Sequence, residues 1–280
     1  MKANRHRKPF EWALVPINAA LAIGALFILG PILWMLLTSL KTGEEILRVP
    51  PTLIPQNATI RNFVSVLTIQ GFPRFILNSL IISTLSTLSV LVTSMLGGYV
   101  FAKFQFPLKK FLFALIIATA IVPFEAYMVS VYITIGNLKL FDSYLGIVFP
   151  ILIMSFGLFF MRQHSSSLPE ELLDAARVDG AAEFWILQRI VVPLSKTPLM
   201  ALGIFAFSEA WAFFIWPLII VNARKFYTIE LGLMVFQKMF FIEHGPIAAG
   251  AIISILPMLT IFFILRKQFI QGVTLSGMKA

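Results

Sequence analysis

The chain has no cysteine among its 280 residues. Disulfides, thiolate metal sites and cysteine nucleophiles are therefore excluded. Histidine is nearly as scarce, with three scattered residues, which is no basis for a metal site. Charge is thin as well. Asp, Glu, Lys and Arg make up 12% of the residues, against 59% hydrophobic and a mean hydropathy of +0.90. A soluble core in so short a chain does not need that much apolar surface. No GxxxxGK[ST] phosphate loop occurs, so the chain is not expected to hydrolyse ATP, and it is expected to hold no metal or cofactor of its own.

What is present is a series of long apolar runs. Residues 12–40 carry no charge, and five further runs follow within 74–103, 111–135, 143–161, 199–221 and 244–266. A span needs about 20 apolar residues to cross about 30 Å of hydrocarbon. The expected fold is all-α and integral to the membrane, with six transmembrane helices. Residues 1–11 form a cytosolic N-terminal tail. Residues 12–265 form one six-span domain, and 266–280 form a cytosolic C-terminal tail.

Basic residues set the orientation. Fourteen lie before the first run, between the second and third, between the fourth and fifth, and after the sixth; eight lie in the alternate loops. The richer side is expected to be cytosolic, with both termini on it. This bias accounts for the formal net charge of +9. The basic residues are dispersed over short loops, which argues against nucleic-acid binding.

The loop between the fourth and fifth runs is unlike the others. Its residues 167–193 read SLPEELLDAARVDGAAEFWILQRIVVP. Ser167 is a candidate N-cap, with Glu170 completing a capping box and Pro169 in the first turn. Leu168, Leu172 and Ala175 or Ala176 recur at helical spacing and predict a short apolar face. Gly180 can turn the chain, and Pro193 limits the second helix. Physically this is helix, glycine turn, helix. It could rest on the bilayer surface or dock another protein.

The spacing Asp174-Ala175-Ala176, three residues, Gly180, nine residues, Ile190, two residues, Pro193 resembles the coupling loop of permease subunits in type I ATP-binding-cassette importers. Further segments resemble the carbohydrate-importer, MalG-like branch. They are SLKTGEEI at 39–46, PPTLIP at 50–55, LNS at 77–79, GGYVFAKFQFP at 97–107, SYLGIVFP at 143–150 and RKQFIQGVTLSG at 266–277. The resemblance covers nearly the whole chain. It implies the permease fold of that class, in a bacterial or archaeal cell membrane, the inner one where there are two. It also implies four kinds of partner: a second homologous permease, two cytosolic ATPase subunits holding ATP and Mg, an extracytoplasmic solute-binding protein, and membrane lipid. On this resemblance Glu171, Asp174, Ala175, Ala176, Asp179, Gly180, Ile190 and Pro193, within a coupling loop spanning 165–198, contact the ATPase. Gln268, Gln271 and Gly272 of the tail do the same.

Within the runs, Glu125 and Glu209 stand out, because a carboxylate facing lipid is costly. Each either lines an aqueous pathway or gate, or hydrogen-bonds another helix. Asn78 and Trp211 share this choice. The family commonly has an acidic residue just after the tryptophan of the fifth span; here Ala212 follows Trp211 and the acid is Glu209, upstream. The functional expectation is half of the translocation pathway for a sugar or sugar-like solute. The alternative is an ion-coupled secondary transporter, suggested by the two glutamates and by Pro123, Pro150 and Pro217.

Overall fold

The computed structural model of the chain describes residues 14–68, 71–238 and 241–277. The N-terminal tail, 1–11, lies outside them. The described chain begins with α1 (Leu14–Ser39), α2 (Gly43–Ile46), α3 (Arg61–Thr68) and α4 (Phe72–Lys103). Next come α5 (Lys109–Thr119), α6 (Phe124–Asn137), α7 (Tyr144–Val148) and α8 (Ser155–Ser166). The loop of interest forms α9 (Glu170–Val178), α10 (Glu183–Ile186), a π-helical turn at Leu187–Val191 and α11 (Val192–Leu194). The remainder is α12 (Lys196–Trp211), α13 (Ile215–Ile220), α14 (Ile229–Leu233) and α15 (His244–Gly277). Among the described residues the fold is all-α apart from one short antiparallel pair, β1 (Gln237–Lys238) with β2 (Phe241–Ile242).

Among the described residues, four helical stretches are long and apolar enough to cross a membrane: Pro16–Ser39, Phe72–Lys103, Lys196–Ile220 and His244–Ile264. The third and fourth apolar runs are interrupted, as Pro123 and Pro150 suggested. Each is a broken pair: α5 and α6 meet at 97°, and α7 and α8 at 53°. Pro123 ends the first break, and Pro150 lies just before the second. Proline disfavours helix in the residue before it and cannot donate the ladder bond.

The chain divides into two compact units. One comprises the residues up to 68 together with 236–253; the other comprises 69–235 and 254 onward. In the first, α1 is apolar on every side, with Phe27 and Ile28 both open to the surroundings, the pattern of a helix whose solvent is lipid. After α1 a tight cap forms on Glu45. Its carboxylate accepts from the Thr52 hydroxyl at 2.7 Å and the Gln56 N–H at 2.8 Å. The Lys41 ammonium binds the Thr52 carbonyl, and Asn62 donates to the carbonyls of Ser39 and Lys41 at 2.9 and 2.8 Å.

The Gln56 N–H and then the Thr52 hydroxyl hold the Glu45 carboxyl below its usual range, against the opposing effect of burial. A depressed native pKa means that the contribution is complete above the ordinary carboxylate range and is lost as pH falls through the native value. Hydrogen exchange at the Gln56 amide, corrected for its intrinsic pH dependence, is expected to accelerate on acidification. In Glu45→Ala it is expected to be fast at neutral pH already. Equal protection of that amide in the variant would remove Glu45 from the centre of the cap.

In the larger unit α4 is the central post, packed by α8 and α12. Its face toward α8 is made of small residues. A Cβ on Gly98 would lie 2.7 Å from the backbone N of Arg162 and from the carbonyl carbon of Met161, and one on Gly97 would lie 2.8 Å from Leu158. Small residues let helix backbones approach where no hydrophobic driving force separates helix from lipid. Two apolar clusters sit along the post. Ile82, Ile147, Trp216 and Ile220 belong to one. Met95, Tyr99, Met161, Leu173, Ile186 and Val191 belong to the other, which places the helix–turn–helix against the Lys103 end of α4.

Candidate functional site

The local geometry of 167–193 departs from the expected capping box. Ser167 closes α8 instead, its hydroxyl donating to the His164 carbonyl at 2.8 Å. Pro169 occupies the N-cap position of α9 and makes no side-chain cap bond. The order of the turn is the reason: Ser167 is spent on the end of the preceding helix. Glu170 pairs with Lys103 at 3.0 Å, and the same ammonium donates to the Leu168 carbonyl at 2.7 Å.

The glycine turn has the geometry of a Schellman motif. Gly180 has φ +78°. Its N–H donates to the Arg177 carbonyl at 3.0 Å, and the Ala181 N–H to the Ala176 carbonyl at 2.9 Å. Nothing lies within 4 Å of where a Gly180 Cβ would be, so glycine is required there by backbone conformation and not by space.

The segment has two apolar faces. The inner one, Leu173, Ala176, Ile186, Leu187 and Val191, is buried in the cluster against α4 and α8. The predicted single face of Leu168, Leu172 and the alanines is thereby split, because Leu173 and Ala176 turn inward while Leu172 and Ala175 turn outward. The outer face leaves Leu172 48%, Phe184 63% and Trp185 50% exposed. Between them is a depression of about 630 Å³ lined by Leu172, Ala176, Asp179, Gly180, Trp185 and Ile190 among others. Glu171, Asp174 and Asp179 are exposed beside it. Pro193 lies beyond the π-helical turn and lines a different hollow.

Four residues that the sequence reading did not single out hold this surface in place. The Tyr99 hydroxyl of α4 donates to Glu183 Oε2 at 2.8 Å. Arg177 Nε donates to Glu183 Oε1 at 2.7 Å, and its Nη1 to Asp174 Oδ1 at 2.7 Å. Lys103, its side chain only 2% exposed, makes the second tie. The Arg177 hydrogen bond, assisted by that from Tyr99, holds the Glu183 carboxyl below its usual range against partial burial. The bond to Glu183 and then that to Asp174 push Arg177 upward. The Glu183 carboxylate and the Arg177 guanidinium are thus both held in their charged forms at neutral pH. Tyr99 and Lys103 lie within GGYVFAKFQFP, so a signal existed, but their partners are 84 and 67 positions away.

The pathway candidates separate. Asn78 is fully buried and fully used: its amide donates to the carbonyls of Lys225 and Tyr227 at 2.9 and 2.8 Å, and its oxygen accepts from the Tyr144 hydroxyl at 2.7 Å. Trp211 is buried, stacks on Phe207 and donates to the Ser254 carbonyl at 3.2 Å. Both act as ties between elements. Glu125 is exposed in the first turn of α6, just after the Pro123 break, and Glu209 is exposed in the last turn of α12. A largely apolar hollow of about 660 Å³ between α4 and α12 is walled by Thr84, Thr87, Leu91, Lys196 and Phe207 among others; neither glutamate lines it. Gln268, Gln271 and Gly272 fall on the α15 backbone, and their side chains lie outside the described residues.

Long apolar helices, two bent apolar helix pairs and an acid-flanked helix–turn–helix packed onto the central post define an α-helical integral membrane protein. Residues 90–274 match the family described as the binding-protein-dependent transport system inner membrane component, and the chain belongs to that family. It is the membrane permease component of an ABC-type transporter, a transport component and not a catalyst. It is 32% identical to the arabinooligosaccharides transport system permease protein AraQ of Bacillus subtilis (strain 168), over 98% of this chain and 99% of that one. It is 31% identical to the lactose transport system permease protein LacG of Rhizobium radiobacter, over 91% and 92%. It is 30% identical to the sn-glycerol-3-phosphate transport system permease protein UgpE of Escherichia coli O1:K1, over 93% and 96%. The crystal structure of a bacterial ABC transporter that imports the acidic polysaccharide alginate contains a chain with the same fold. Its TM-score is 0.82 at 20% identity, covering 94% of this chain and all of that one.

Proposed function

We propose that this chain is one of two permease subunits in an ATP-driven importer of the carbohydrate, MalG-like branch, and that its solute is a sugar or sugar-like molecule. It forms half of the pathway and meets a cytosolic ATPase through 167–193. The observation that carries this reading is the outer face of that segment. Leu172, Phe184 and Trp185 remain exposed after the inner face is already satisfied by α4 and α8. A helix pair resting on lipid would flank its exposed apolar face with cations; here Glu171, Asp174 and Asp179 are exposed beside it. The relatives named for oligosaccharide, lactose and glycerol phosphate transport support the solute class. The same reading supplies a second permease, two ATPases binding ATP and Mg, and an external solute-binding protein. Closure of the ATPases would move the helix–turn–helix and alternate the access of the pathway.

The topology belongs to the same proposal. The two broken pairs, α5 with α6 and α7 with α8, each count as one span, giving six with both termini in the cytosol. Residues 12–265 then form the permease domain, and 165–198 its coupling loop. The chain lacks cysteine, so single cysteines are clean probes. Asn57→Cys is expected to react with an impermeant thiol reagent in intact cells and Ser166→Cys only after permeabilisation. The opposite pattern would invert the orientation.

A further inference from the structure

We propose that Tyr99, Glu183 and Arg177 form a rigid joint through which motion of the helix–turn–helix reaches α4, so that the loop and the central post move as one body. The inference rests on the coupling role proposed for 167–193 and adds to it a load path inside this chain.

The joint is built across the two helices of the loop and the post. Glu183 opens α10, Arg177 lies near the end of α9, and Tyr99 lies one turn from the end of α4. Both Glu183 oxygens are committed, one to each partner, at 2.8 and 2.7 Å. Arg177 is fixed in turn by Asp174 at 2.7 Å. The Tyr99 ring is buried and meets Phe104 edge-on at 5.6 Å, so its hydroxyl presents a fixed donor. The glycine turn between α9 and α10 is closed by two backbone bonds and has open space around Gly180. Without Glu183, the turn is where α10 could swing relative to α9. The carboxylate closes that hinge from one side and pins it to α4 from the other. Lys103, tied to Leu168 and Glu170, fixes the entrance to α9 on the same post.

If the joint only stabilises the fold, its loss lowers the amount of assembled complex and leaves the solute moved per ATP unchanged. If it transmits motion, its loss produces slippage: ATP is consumed while less solute moves. Removing a hydrogen bond to a charged group shifts the attached-to-detached equilibrium by about tenfold or more. The measurement is uptake per ATP hydrolysed, in proteoliposomes carrying the complete complex with its binding protein, normalised to co-purified ATPase. Glu183→Gln and the milder Tyr99→Phe, which deletes one oxygen, are expected to lower that ratio several-fold. A Tyr99→Cys, Glu183→Cys pair is expected to slip in the same way, and a short bis-thiosulfonate cross-link between the two cysteines is expected to restore the ratio. A wild-type ratio in Tyr99→Phe and Glu183→Gln would overturn the joint. So would a cross-link that blocks uptake until it is reduced, because the loop would then have to slide on α4. These outcomes are separate from failure of the coupling reading, which shows as normal ATPase assembly and uptake when the outer groove is filled.

Discussion

Ala176→Trp is expected to strip the ATPase subunits from the purified complex and bring uptake to background. Ala176 is the floor of the outer groove and only 8% exposed, with its other side in the cluster against α4. An indole there fills the depression and overpacks the core behind it, at a cost of about 1–3 kcal/mol. Ala182→Trp separates the two effects. Ala182 is exposed on the same groove, so the ring blocks docking while the inner face stays as it is. Gly180 gives a graded series. With φ at +78° and no atom within 4 Å of a Cβ, only the backbone resists substitution, by about 1–2 kcal/mol for an ordinary side chain. Asparagine tolerates the left-handed region best and a β-branched residue worst. Assembly and uptake are therefore expected to fall in the order Asn, Ala, Val. Truncation from Gln271 onward, in the same reconstituted complexes, is expected to lower solute-stimulated hydrolysis while membrane insertion persists. Solute affinity of the separate binding protein is expected to be unchanged throughout. Normal ATPase co-purification, hydrolysis and uptake in Ala176→Trp, Ala182→Trp and Gly180→Val together would overturn the coupling assignment.

The features legible in the sequence are those written in short-range patterns. An uncharged run as long as 12–40 has no other use than a span, and α1 follows from it. The turn at Gly180 was readable because a glycine ending a helical repeat predicts a left-handed residue, which is what Gly180 adopts. The bends were only half readable. Pro123 and Pro150 were visible as interruptions, yet hydropathy averages across a bend and gives no angle. The capping box failed because Ser167 had a competing use, the end of α8, that no local pattern reveals. Asn78 and Trp211 were read as polar groups in spans with two possible uses. Apart from the Tyr144 hydroxyl, their hydrogen-bond partners are the carbonyls of Lys225, Tyr227 and Ser254, backbone atoms, which carry no sequence signature at all. The tie from Tyr99 to Glu183 is invisible for a related reason: it depends on where α4 ends relative to a loop 84 residues later. Sequence thus revealed the helices and the turn of 167–193 more readily than the frame that holds them.

That frame depends on one glycine more than on any charged pair. Gly98→Ala is expected to destabilise the protein although alanine is the better helix former. Its Cβ would meet the backbone of α8 at Met161 and Arg162, at 2.7 Å, and backbone cannot rotate aside as a side chain can. The helices must separate, and Met161, Tyr99 and Leu173 lose contact together. An overpacking cost of about 1–3 kcal/mol exceeds the roughly 1 kcal/mol gained in helix propensity, and the melting temperature in detergent is expected to fall by on the order of 5 °C. Gly203→Ala is the control. It adds the same methyl to α12, but its nearest neighbour is Leu91 at 3.6 Å, an ordinary contact, so only the propensity gain remains and stability is expected to hold or rise. The comparison is made by thermal denaturation with size-exclusion detection at equal expression. If Gly98→Ala melts with wild type, α4 and α8 are not in backbone contact at that point. Tyr99 and Lys103 would then lack the fixed post from which both ties to the helix–turn–helix are made.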